Sequence, residues 1–595
     1  MKKIIIACLV VVLFMSMIPF NAFAEGSGNV SQYLEATISK MVKDKKVKGA
    51  VVSVVSNGKI DYCKGYGYAD EKNDVKADGQ NIAFRIGSVS KTFVAIAAEQ
   101  LSEKGILDMN TSVYKYLEKD FPRFKHDFTL NNLLTHTAGF EDMLSGIAVY
   151  DIDKAEPLKV SIRKYMPSQE FIPGQVVSYS NYGIALAAYI IERITGQDFY
   201  EYVEESIFKP LKMDKTSFRL QNKNIDVSKA YDAKGEETSE PFINLYPEGS
   251  GVSSADDMAK YMLWLLDDKR EDILSNKGKQ DIFARHFTMS EEFEGIGLTW
   301  NRREYNGVVY FEKKGETKNF FSRIIIYPGQ KTGVFISFNT YLSDDTLDSI
   351  MHDISSKVLF GQAISNMVMG KGKTDEIFTG KQTEDISGYY IDARSNFNKI
   401  EKVMNFLIPD RVFKISGSIS KGFEMNGKKL IAIGENYYST PLGNMKYVER
   451  DGRGFFATDS AISYVRTSWY EHNNVQLLIV GLFALVSLFL TVACVIRIVR
   501  RKSNNILAGI TIAQFVLFVV LAVIIFSGIS SFTLLSKTSA VMIFGILLAV
   551  ASAVGILYTI YHWVRKSYIT KKVLLSLWSL LNLLFCLWMV QVNIL

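Results

Sequence analysis

The last fifth of the chain limits the rest more than any other feature. Beyond about residue 475 come four apolar runs, at 475–496, 506–529, 540–561 and 573–592, and none of them contains Asp, Glu, Lys or Arg. Each is near the ~20 residues that an α-helix needs to cross the hydrocarbon layer. The charges between them set a direction. "RIVRRK" (497–502) separates the first two runs and "RKSYITKK" (565–572) the last two, while the middle connection carries only Lys537. Positively charged loops stay in the cytoplasm, so the first span enters from outside. With no charge inside the spans, an ion pathway is not suggested.

The other end agrees with that direction. "MKKIIIACLVVVLFMSMIPFNAFAEG" has Lys2 and Lys3, an apolar run and a small-x-small site at Ala22-Phe23-Ala24. This is the pattern of a secretory leader, with a mature start near Glu25. The expected product is a multi-pass protein of the cell membrane whose residues 25–470 lie outside the cytoplasm, with the lipid bilayer as one partner. Of four cysteines, only Cys63 falls in the exported part, so no intrachain disulfide is expected there. The net charge of +6 includes the basic membrane loops, so it implies no nucleic acid. Six histidines show no paired ligand spacing, and no metal or other cofactor is expected.

Within the exported part, "MGKGKTDEIFTGKQTED" (369–385) is polar and Gly/Lys-rich and reads as a linker. Before it, "GAVVSVVSNGKIDYCKGYGYAD" (49–70) alternates about Asn57-Gly58, the signature of a hairpin. Apolar helices follow in the middle, and strands such as "GVVYFEKKG" and "TGVFISFN" close the region. One sheet whose edges come from both ends of this region is predicted. After the linker, short strands with Gly/Asn turns predict a small all-β domain. The expected boundaries are 1–24 leader, 25–368 first domain, 369–383 linker, 384–470 β domain and 471–595 membrane helices.

"FRIGSVSKTFVAIAAEQL" (84–101) carries the chemistry. Ser88 and Lys91 lie three apart at the start of an Ala-rich helix, which puts both on one face. A serine at a helix start meets free N–H groups that favour an oxyanion. A lysine pressed on an apolar helix is desolvated and can serve as a base. Ser418-x-x-Lys421 repeats the spacing between strands, with no helix after it. Tyr179-Ser180-Asn181 follows a Pro173-Gly174 turn and precedes another helix. A tyrosine there can take a serine's proton, and an asparagine amide can orient a lysine and a substrate carbonyl.

"FRIGSVSKTF", "LLTHTAGF", "PG…YSNYGIAL", "GSGVSSADDMAKYM" and the late strands occur in this order across 35–360. Together they resemble the serine β-lactamase and penicillin-binding-protein superfamily, close to class C β-lactamases and their DD-peptidase, esterase and D-aminopeptidase relatives. The resemblance implies an α/β (α+β) domain with an antiparallel sheet flanked by helices. It implies Ser88 as the acylated nucleophile, Lys91 as its partner, Tyr179 as general base and Asn181 as a substrate contact. The family's Lys/His-x-Gly strand motif is less direct. Lys331-Thr332-Gly333 sits in a turn, and counting back from Phe321-Ser322 places the motif on Lys314-Gly315-Glu316. The N–H groups of Ser88 and Thr317 would then form the oxyanion hole. Glu316 departs from the pattern, and it could pair with Lys314 or attract a substrate amine. No glutamate placed for deacylation is evident, His136 is expected to shape a loop, and Asp256 and Asp257 to cap a helix.

The function implied is a serine hydrolase working through an acyl-enzyme on D-amino-acid-containing peptides or amides, with a small peptide, amide or ester as substrate. The layout is similar to that of membrane-bound peptidases that unmask prodrugs, whose bundle commonly has three spans. A carboxylesterase of the same fold and a non-catalytic penicillin- or muropeptide-binding sensor are the alternatives. Self-association through the bundle is left open.

Overall fold

The computed structural model describes residues 26–305, 307–360, 382–408, 411–459, 461–500, 506–564 and 569–595. The leader and most of the linker expected from sequence lie outside the described residues.

The first domain is built on a seven-stranded antiparallel sheet. Its early strands are β1 (Gly49–Ser56), β2 (Lys59–Asp70) and β3 (Val75–Lys76). Its late ones are β4 (Asn301–Tyr305), β5 (Val308–Glu316), β6 (Phe321–Tyr327) and β7 (Thr332–Phe338). The order β4-β5-β6-β7-β1-β2-β3 puts a late strand on one edge and an early one on the other. The two ends of the domain meet at the β7–β1 seam, where Ala50 lies opposite Phe338. Asn57 and Gly58 both take positive φ (47° and 81°), as the tight turn of a twisted hairpin requires.

Both faces of the sheet are covered. Every residue of β1 is buried, the mark of a strand packed on two sides. On one face lie α1 (Gly26–Lys43) and a helix near the domain's end, Asp344–Phe360. The other face carries the main core. It includes α2 (Lys91–Glu103), α3 (Asn181–Thr195) and α4 (Ala255–Leu266). Ser254, not Asp256 or Asp257, is the N-cap of α4 and accepts from the Asp257 N–H at 3.1 Å. The two aspartates lie in its first turn, where the helix dipole favours them.

The region after the linker is a nine-stranded antiparallel sheet among the described residues, starting with β8 (Gly388–Asp392). Its two edge strands, Lys428–Lys429 and Ile431–Gly434, are separated by one residue, so the sheet curls round into a barrel-like shape. Phe171, Val176, Met289 and Phe293 of the first domain pack against Ile391, Val412, Phe455 and Val465 of the barrel.

Four helices close the chain: Asn473–Val499, Ile506–Ser530, Thr538–Val564 and Ile569–Gln591. All four are long and apolar enough to cross a membrane. Ile400, Val403 and Phe406, from a 3-10 segment of the barrel region, share the bundle's apolar core with Phe585 and Trp588. The Gly146 N–H donates to the Phe532 carbonyl (2.9 Å), and Asn593 reaches the Lys399 carbonyl (3.3 Å). The first domain and the barrel therefore sit at the end of the bundle that carries Asn473, Phe532 and Asn593.

Candidate active site

Backbone geometry puts Ser88 beside Lys91. The two-residue strand Phe84–Arg85 pairs with Val252–Ser253, and the chain then turns through Gly87 at φ +49°. A Cβ there would lie 2.5 Å from the Glu316 nitrogen, so only glycine allows the approach. Residues Gly87–Ser90 form a 3-10 turn that runs into α2. Side chains three apart eclipse in such a turn, which aligns Ser88 with Lys91.

Lys91 is fully buried, and its ammonium makes three contacts. Nζ donates to Ser88 Oγ (2.8 Å), to the Glu248 carbonyl (2.6 Å) and to Glu248 Oε2 (2.7 Å). The sequence pointed to a lysine set in apolar surroundings alone. The structure adds a carboxylate, and Glu248 is a residue that no motif had singled out.

Tyr179 stands just ahead of α3, whose N-cap, Ser180, accepts from the Gly183 N–H at 3.0 Å. Its ring lies against that of His136, tilted by 33°, with centroids 4.2 Å apart. His136 takes φ +57° and its Nδ1 accepts from the Ser180 N–H at 3.2 Å. That acceptor role leaves the imidazole proton on Nε2. Burial, reinforced by the charges of Lys313, Lys91 and Arg394, pushes the His136 pKa well down. The expected loop residue is thus a neutral support for the tyrosine. Three basic heads surround the Tyr179 ring, Lys91 and Lys313 at 5.3 Å and Arg394 at 5.1 Å. Asn181 opens α3 and lines the same cavity, its buried Oδ1 without a hydrogen bond among the described residues.

The strand motif is where the structure departs from the sequence assignment. Successive strand residues face opposite sides, and Lys313 and Lys314 are successive in β5. Lys313 is buried on the Tyr179 side and donates to the Thr299 carbonyl at 2.6 Å. Burial pushes its pKa well down, and the charge of Lys91 adds to this. Lys314 turns behind the sheet and reaches both oxygens of Asp348 at 2.9 Å. Lys313-Lys314-Gly315 is therefore the Lys-x-Gly sequence that faces the site, and the count from Phe321 was one residue out. Among the described residues Lys314 pairs with Asp348, and the Glu316 carboxylate lies 3.5 Å from Arg323.

The same shift moves the backbone donor. The Thr317 N–H is engaged by the Phe320 carbonyl at 2.9 Å. In an antiparallel ladder, neighbouring residues alternate in facing the partner strand. Glu316, opposite Phe321, therefore turns its backbone away from β6, towards Gly87, the residue before Ser88. Ser418 and Lys421 flank a turn between strands, and Lys331 is a turn residue at φ +44°; neither lies on the cavity.

The cavity holds about 490 Å³. Ser88, Tyr179, Asn181, Glu248, Lys313, Lys314 and Glu316 line one side, although the Lys314 ammonium itself is held by Asp348. Asp392, Arg394, Asp459, Ala461 and Ile462, all from the barrel, line the other. The sequence left open whether the β domain caps the site or spaces it from the membrane, and it singled out none of these residues.

An antiparallel sheet flanked by helices, with a Ser-x-x-Lys pair beside its β5 strand, defines a class of fold and site. The family model "Beta-lactamase" matches residues 34–351, more than half of the chain, and the chain belongs to that family. It is 27% identical over 345 residues to Protein flp of Staphylococcus aureus, covering 55% of this chain and 66% of that protein. It is 32% identical over 255 residues to the putative penicillin-binding protein PbpX of Bacillus subtilis, covering 42% of this chain and 61% of that one. The matches thus span just under two thirds of these relatives' length. Among solved structures, the octameric penicillin-binding protein homologue from Pyrococcus abyssi is similar with a TM-score of 0.50 and 20% identity. It covers 73% of this chain and 99% of that chain. SurE is similar with a TM-score of 0.54 and 17% identity, covering 74% and 100%, and it has also been solved with D-Leu. These likenesses show the fold, and they reach beyond the family domain.

Proposed function

We propose that this chain is a membrane-tethered serine hydrolase that works outside the cytoplasm, through an acyl-enzyme, on D-amino-acid-containing peptides or amides. The observation that carries it is the contact of buried Lys91 Nζ with Ser88 Oγ at 2.8 Å. Ser88 Oγ attacks the substrate carbonyl and its proton passes to Tyr179, with Lys91 holding the hydroxyl in place. The N–H groups of Ser88 and Glu316 receive the oxyanion. Tyr179 returns the proton to the departing amine, and water then releases the acyl group. Asn181 orients the substrate carbonyl. The D-amino-acid substrate class is supported by the D-Leu complex of SurE and by the similarity to a putative penicillin-binding protein.

A second reading, a sensor that signals through the bundle, draws on the Gly146–Phe532 contact between the first domain and the bundle. Turnover of acyl-D-Ala-D-Ala and intact mass after benzylpenicillin, each beside Ser88→Ala, separate the two. Turnover lost with Ser88 supports the enzyme. A stable adduct with no turnover of any peptide, amide or ester supports the sensor.

A further inference from the structure

Arg394 reaches the site from outside the family domain. It follows β8 in a turn fixed against the first domain from several sides. Ser178 Oγ donates to the Ala393 carbonyl (3.0 Å), Asn396 Nδ2 to the Asp142 carbonyl (2.7 Å) and the Phe397 N–H to Glu141 (2.8 Å). The guanidinium lies 5.1 Å from the Tyr179 ring, with Nε 3.1 Å from Asp142 Oδ2. Asp142 is the largest influence holding its charge on, ahead of Tyr179, Asp392 and Glu248. The side chain is 37% exposed and lines the Ser88 cavity. Among the described residues, its Nη groups make no hydrogen bond.

The other cations are less available to an anion. Lys91 has its three donors engaged. Lys313 donates to Thr299, and Lys314 is held by Asp348 behind the sheet. Arg303 is paired with Asp459 (3.1 Å). Arg394 is left with a fixed, charged fork turned into the cavity, the geometry that binds a carboxylate in two places.

Its place beside Tyr179 says which part of the substrate it meets. In the reaction above, Tyr179 hands its proton to the departing group, so that group passes next to Tyr179. We propose that Arg394 recognises a carboxylate on the leaving-group portion of the substrate, so that the barrel makes the enzyme selective for acyl donors whose departing part is acidic, such as a C-terminal amino acid. The proposal rests on the serine-hydrolase reading and adds a specificity residue to it.

The test uses the full chain in detergent and two activated thioesters that share one acyl group. One releases mercaptoacetate and the other mercaptoacetamide, so they differ only in the charge of the leaving group. The wild type should favour the mercaptoacetate ester by about ten- to hundredfold in kcat/KM, the scale of a charge-assisted hydrogen-bonded pair. In Arg394→Ala the ratio should collapse towards one, chiefly through a higher KM, and Arg394→Lys should recover part of it. An unchanged ratio in Arg394→Ala, or no wild-type preference, overturns the role of Arg394 and leaves the hydrolase reading standing. If Arg394→Ala turns over neither ester, the ratio in Arg394→Lys decides: a reduced ratio supports the proposal and a wild-type ratio overturns it. Failure of the wild type to cleave either ester overturns the hydrolase reading, and the proposal with it. Selective thioester cleavage without any D-peptide turnover removes only the D-peptide substrate class.

Discussion

The two walls of the cavity are built in opposite ways. On the first-domain side, Ser88 and Lys91 are three residues apart, and Tyr179 and Asn181 two apart, each pair fixed by the start of a helix. On the barrel side, Arg394 comes more than two hundred residues after Tyr179 and is placed by a web of bonds between domains. Chemistry that needs ångström placement sits on rigid local elements. On the proposal above, selectivity sits on the other wall, which belongs to a separate domain.

Perturbing each wall separates the two. The largest effect should come from Ser88→Ala, which should remove all turnover, a loss of about 10⁴-fold or more in kcat, read by hydrolysis of an activated ester. The pair Lys313→Ala and Lys314→Ala comes next. Lys313→Ala should lower kcat/KM about a hundredfold, while Lys314→Ala changes it by less than about threefold because that side chain lies behind the sheet. Equal losses would mean that the strand faces the other way. Glu248→Gln keeps the shape but removes the charge beside Lys91, and it should cost about tenfold in kcat with little change in KM.

The smallest effect concerns His136. Its folded pKa lies well below the ordinary value, so below about pH 6.5 the unfolded chain binds a proton that the folded one does not. Stability contributed by the neutral, buried ring is then lost as the pH falls below about 6.5. The melting temperature should drop more steeply across pH 6.5 to 5 in the wild type than in His136→Gln. Parallel curves would show that the ring is protonated in the fold.

What the sequence revealed divides along the same line. The hairpin turn, the two-ended sheet and the four apolar helices each rest on local patterns, and the structure contains them. Lys313 escaped because a one-residue slip in a strand exchanges its faces, and nothing in "EKKGE" says which lysine looks inward. Glu248 escaped by a single position, since the recognisable run "GSGVSSADDMAKYM" begins at Gly249. Its role depends on a loop that returns to Lys91 from 157 residues away. Arg394, in "YIDARSN", has no local signature, because its place depends on a domain interface.

The most direct measurement of the central claim is the intact mass of the full-length protein after a brief exposure to an activated acyl donor, with the modified peptide then located. One acyl group on Ser88 in the wild type, and none in Ser88→Ala, is the predicted result. Turnover with no acyl group on Ser88, or an adduct that survives in Ser88→Ala, would contradict it.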